Sequence, residues 1–95
     1  MSEGNRKANI CGDQVRIARA MQKPKMTQDD LIAKLFLEGI DLKKNTISRI
    51  ETGDRYVTDR ELMALSSVLK VSVPWLLEQT VNPGLYTELI VKSKK

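Results

Sequence analysis

Four residues in one short stretch, Lys44, Asn45, Ser48 and Arg49, have side chains able to make directed hydrogen bonds from a common face. On a helix advancing about 100° per residue they fall, with Thr52, on one arc, while Thr46, Ile47 and Ile50 fall on the opposite arc. The apolar arc can pack against a core, which leaves the polar arc outside. Its groups match the edges of base pairs: Arg and Lys suit the O6 and N7 acceptors of guanine, Asn suits adenine, and Ser suits several partners. The chemistry on offer is recognition of bases in a duplex. The plain alternative is a solvated polar face, which any surface helix needs.

Groups near this arc fit the phosphate backbone. Gln28 stands in the first turn of a helix-forming stretch, where backbone NH groups and the helix dipole favour a phosphate oxygen. A simple capping contact is its other reading. Lys43 and Arg55, and more weakly Lys25, are cations that would touch phosphate without reading sequence. Arg6 and Lys7 near the N-terminus can do the same.

Other chemistries lack their residues. With no His and one Cys, the chain cannot assemble a His-based triad or a Cys/His zinc site. The expectation is no enzyme, no metal, no cofactor and no small-molecule ligand. Cys11 has two readings, a small packing residue or a thiol of lowered pKa that senses oxidants. A lone cysteine cannot form an internal disulfide, and the N-terminal residues do not resemble a signal peptide. The apolar runs are far shorter than the roughly 20 residues that cross a bilayer. A cytoplasmic location with no membrane partner is expected. Lys and Arg number 16 against 12 Asp and Glu, a net charge of +4. That surplus permits a polyanion partner without demanding one, so the distribution of charge must decide.

The elements that position these groups can be read from caps and periodicity. A chain of 95 residues with 4% aromatic content suits one all-α domain built on aliphatic side chains. Residues 1–9 lack periodicity and read as a flexible N-terminal arm. A first helix is expected from Gly12 to about Lys23, with Val15, Ala18 and Met21 inward and Pro24 as its stop. Thr27 can cap a second helix, which has Asp29 and Asp30 at its positive end, Leu31 and Leu35 on its buried face and Gly39 as terminator. Ile40 to Leu42 form a connection that tucks under the domain. The third helix runs from Lys43 or Lys44 to Thr52 and stops at Gly53.

Thr58 and Glu61 have capping-box spacing ahead of a fourth helix with Leu62, Leu65 and Leu69 at helical intervals. Ser72 can cap a short fifth helix that tolerates Pro74 in its first turn. Trp75, Leu76 and Leu77 there read either as core or as a dimer contact. Asn82, Pro83 and Gly84 signal a turn before residues 85–91, where helix and edge strand stay equally open. The domain proper is placed at 10–79, with 80–95 a tail that has a possible part in dimerisation.

Three strings, Met26 to Leu31, Thr46 to Gly53 and Val71 to Leu77, occur in an order and spacing that resembles the phage-repressor family of helix-turn-helix domains, the Cro and lambda-repressor-like or XRE group. The resemblance spans about Gly12 to Leu77 and implies a five-helix lambda-repressor-like domain. It implies that the third helix enters the major groove with Lys44, Asn45, Ser48 and Arg49 toward the bases, while Gln28, Lys43 and Arg55 hold the backbone. It also implies an ion pair between Glu51 and Arg19, with Arg16 as the alternative partner, and a homodimer on double-stranded DNA acting as a repressor. The rival reading is a protein-interaction module, such as an antitoxin or controller partner, that keeps the fold.

The chain departs from the pattern in four places. The segment between Leu35 and Thr46 is longer than usual, and Pro24 and Lys25 stand where a shorter glycine-containing turn is common. Ile32 replaces a small Ala where two helices approach closely, with Ala33 next to it. Lys43 occupies a position often held by a capping Ser or Thr, leaving Asp41 as a cap from further back.

Overall fold

Side-chain caps set the start of three of the five helices. The computed structural model describes residues 7–83, which form α1 (Gly12–Met21), α2 (Gln28–Leu37), α3 (Lys44–Thr52), α4 (Asp59–Leu69) and α5 (Val73–Leu76). Among the described residues there is no strand. Thr27 accepts from the Asp30 NH while the Asp30 carboxylate accepts from the Thr27 NH, and Thr58 and Glu61 make the same reciprocal pair at α4. Ser72 caps α5 by accepting from the Trp75 NH. Each such cap contributes about 1 kcal/mol.

The stops follow equally local rules. Gly39 and Gly53 take φ of +85° and +87° after α2 and α3, a left-handed conformation that costs a residue without Cβ nothing. α1 ends at Met21 rather than near Lys23 as expected, with Gln22 already extended. Lys23 precedes Pro24, whose ring disfavours the helical conformation in the residue before it.

The core is where the five helices meet. Leu31 and Leu35 of α2, Ile47 and Ile50 of α3, Leu65 of α4 and Leu76 of α5 are all at most 1% exposed. Each buried aliphatic side chain of this size contributes roughly 2 to 3 kcal/mol by leaving water. Leu42 is buried and Ile40 packs partly against the core, so the long connection from Glu38 to Lys43 is anchored by its apolar residues. Ile32 is half-buried against the core whereas Ala33 is exposed. The larger residue is therefore accommodated in place, and Ala33 does not replace it.

Two readings left open in the sequence, for Trp75 to Leu77 and for Cys11, go to packing. Two expectations need correction: Met21 is 44% exposed rather than inward, and part of the N-terminal arm is held. Trp75 and Leu76 are buried at 6% and 0% exposure within the chain's own core, so they offer no open surface for a second copy. Of that trio only Leu77 is half-exposed. Residues 8 and 9, assigned to the arm, are tied down: the Ala8 NH donates to the Gly53 carbonyl at 2.8 Å, and Asn9 Nδ2 donates to the Ile50 and Arg55 carbonyls at 3.0 and 2.7 Å. The carbonyls left open at the end of a helix draw this segment in. Cys11 is 2% exposed, and burial pushes its thiol pKa up rather than down. This fits the packing role and not the oxidant sensor. The expectations for residues 1–6 and 84–95, among them the tail's part in dimerisation and the helix or strand at 85–91, lie outside the described residues.

Gly12 at the start of α1 lies directly against the backbone of α3. A Cβ there would overlap the Ile50 carbonyl oxygen and press on that of Glu51, both backbone atoms that cannot swing aside. Gly12→Ala is expected to destabilise the protein by about 1 to 3 kcal/mol, as overpacking does. Thermal unfolding measures this, and an unchanged midpoint would contradict the close approach.

Candidate nucleic-acid interface

α3 has one face in the core and one in solvent. Ile47 and Ile50 are each 1% exposed, whereas Lys43, Lys44, Asn45, Arg49 and Thr52 are exposed and Ser48 is half-buried. Among the described residues Asn45 and Arg49 make no side-chain hydrogen bond or ion pair. Their donors and acceptors are unspent. Lys43, the N-cap, supplies no side-chain hydrogen bond, and Asp41, expected as a cap from further back, makes none either. The first turn of α3 therefore has no side-chain acceptor for its NH groups.

The other side of the polar arc is lined by α2. Lys44, Ser48 and Glu51 follow one another at helical spacing along α3, and the first turn of α2 runs beside that stripe. Lys44 Nζ lies 3.6 Å from Asp29 Oδ1. Ser48 Oγ donates to Gln28 Oε1 at 3.4 Å, and Gln28 Nε2 donates to Glu51 Oε1 at 3.1 Å. Gln28 thus spends its carbonyl oxygen and one NH inside the protein, and its second NH remains available to an outside acceptor.

Glu51 is 6% exposed, and a carboxylate so far from water needs full compensation. Arg19 supplies most of it from α1: Nε donates to Oε2 at 2.6 Å and Nη2 to Oε1 at 2.9 Å. Arg19 Nη1 also donates to the Met26 carbonyl at 2.9 Å, which holds the turn between α1 and α2. Arg16 pairs instead with Asp13 on the surface of α1.

Arg55 is committed as well. Nη1 and Nη2 donate to the two carboxylate oxygens of Glu61 at 2.9 and 3.1 Å, and Nη1 also reaches the Tyr56 carbonyl. A planar fork facing a buried carboxylate is a strong internal partner, and Arg55, 30% exposed, has two of its five N–H groups outside these bonds. Arg55 braces the loop that leaves α3.

A model of the Cro/C1-type helix-turn-helix family matches residues 17–76. The chain belongs to this family. No curated protein and no solved structure matches it. The helix-turn-helix domain has the lambda-repressor-like fold, and the family is one of DNA-binding regulators. Its two named helices are α2 and α3, joined by the long connection 38–43. Among the described residues no helix is long and apolar enough to cross a membrane.

Two residues that position the helix-turn-helix were missed in the sequence. Asn9 Oδ1 accepts from the Gly12 NH at 2.8 Å, so Asn9 joins the start of α1 to the end of α3 and the loop beyond. Its place three residues before a helical NH is a capping signal that was open to reading. Asp29 has no such local signal, because its partner Lys44 belongs to another helix.

The Arg55 and Glu61 pair makes stability depend on pH. Hydrogen bonds from the Arg55 guanidinium, and then from Thr58, hold the Glu61 carboxyl below its ordinary value despite burial. A group lowered in the folded state gives its full stabilisation above its unfolded pKa and loses it as pH falls through the folded one. Unfolding midpoints are therefore expected to drop from about pH 4.5 downward, the ordinary value for Glu. Glu61→Gln should be less stable at neutral pH yet show a shallower acid limb, and an identical limb would exclude this pair as a source.

Proposed function

We propose that the chain is a sequence-specific double-stranded DNA-binding transcriptional regulator, a repressor that acts as a homodimer in the cytoplasm. The observation that carries this is the exposed arc of Lys44, Asn45 and Arg49, with Ser48 at its edge, on a helix anchored by Ile47 and Ile50. In this reading Arg49 and Lys44 address guanine acceptors, Asn45 addresses adenine, and Ser48 reads an adjacent edge. Lys43 and the remaining NH of Gln28 hold phosphate and set the register. A helix of nine residues covers a single half-site, so two copies on a symmetric site are the natural unit. With Trp75 and Leu76 in the core, Leu77 is what remains of the expected contact. Repression follows from the simplest use of such a domain, occupation of a promoter.

The second reading, a protein-interaction module on the same fold, draws on the exposed Phe36 and Leu37 at the end of α2 and Met63 on α4. Salt separates the two. Affinity for duplex should fall steeply between roughly 50 and 200 mM salt as phosphate contacts release counterions. Arg49→Ala and Asn45→Ala should each cost about 1 to 3 kcal/mol at one base pair of a site selected from a random pool, whereas Lys43→Ala should weaken all sequences alike. Absence of binding to any duplex at low salt would reject the DNA reading in favour of the protein module.

A further inference from the structure

Two exposed carboxylates border the polar face of α3, Asp54 at its far end beside Thr52 and Asp29 beside Lys44 at the end that starts the helix. Asp29 is exposed and lies 3.6 Å from Lys44 Nζ, with side-chain exposures of 73% and 63%. It does not stand there by accident of one rotamer alone. Its neighbour Gln28 is fixed by Ser48 and Glu51, and the Thr27 capping box fixes the turn from which both project. The first turn of α2 is thereby held alongside Lys44, and Asp29 cannot leave the vicinity of the reading face.

A lysine ammonium is a compact charge on a flexible stem. Left alone at the start of a groove-facing helix, it would be drawn to the nearest phosphate, and phosphates are the same in every sequence. A carboxylate beside it weakens that pull. At 3.6 Å the contact is an ion pair and not a hydrogen bond, so the ammonium keeps its three donors, and these suit the paired acceptors on a guanine edge.

We propose that Asp29 is a specificity-determining residue of the DNA interface: it restrains Lys44 and lowers affinity for non-cognate duplex, so that discrimination improves at the cost of total affinity. This rests on the DNA-binding reading above. Because the pair is exposed, its loss has little effect on folding.

The test uses the full chain and two duplexes of equal length, one selected by the wild-type protein from a random pool and one of random sequence. Asp29→Asn is expected to bind the random duplex several-fold more tightly, with the slope of log affinity against log salt steeper by about 0.9, one more counterion released. Its ratio of site to random affinity should fall, with a thermal midpoint lowered only slightly by loss of one charge at the α2 N-terminus. In a Lys44→Ala background the same substitution should leave that ratio unaltered, because the acid acts through the lysine. An unchanged ratio in Asp29→Asn, or an equal fall with and without Lys44, overturns the proposal while leaving DNA binding intact. A wild-type chain that binds neither duplex overturns the functional reading itself.

Discussion

One buried carboxylate ties the DNA-facing elements together. Glu51 sits on α3, takes two hydrogen bonds from Arg19 of α1 and a third from Gln28 of α2. Three helices are referenced to one group. Removal of charge from water is costly, and the pair is favourable only in good geometry. That requirement makes it a device for orientation: a rotation of α3 about its axis would strip Glu51 of its partners before it disturbed the apolar contacts of Ile47 and Ile50. The face that α3 presents outward is determined on its inner edge.

The two ends of α3 are treated differently. Its start has no side-chain cap and leaves NH groups on the side where an anion would approach. Its end is secured several times over, by Gly53 in the left-handed conformation, by the Ala8 NH and by Asn9. Asn9 also reaches the carbonyl of Arg55, and Arg55 in turn holds Glu61. The result is a helix firmly gripped at its C-terminal end and open at its N-terminal end.

Internal pairing also explains why net charge says little about the surface of this protein. Arg19 and Arg55 are spent on Glu51 and Glu61, and Lys44 is shared with Asp29. Among the described residues, the cations of α3 and its N-cap left for an external anion are Lys43, Arg49 and part of Lys44, with the exposed Lys7 beside Gly53 at its end. A face with few uncommitted cations and several neutral donors suits selective contact better than indiscriminate attraction.

The helices themselves were legible in the sequence because their signals are local. Thr27, Ser72 and the pair Thr58 and Glu61 act within three residues, Gly39 and Gly53 act on their own backbone, and the placement of Ile47 and Ile50 opposite Asn45 and Arg49 follows from helical periodicity alone. Arg19 and Glu51, 32 residues apart, were reachable only through the family resemblance, since no spacing rule joins them. The use of Arg55 against Glu61, the grip of Asn9 on α3, the burial of Trp75 and the nearness of Asp29 to Lys44 were decided by tertiary structure. Whether a charged or apolar side chain meets solvent or a partner depends on how helices pack, and a partner on another element leaves no mark on the local pattern.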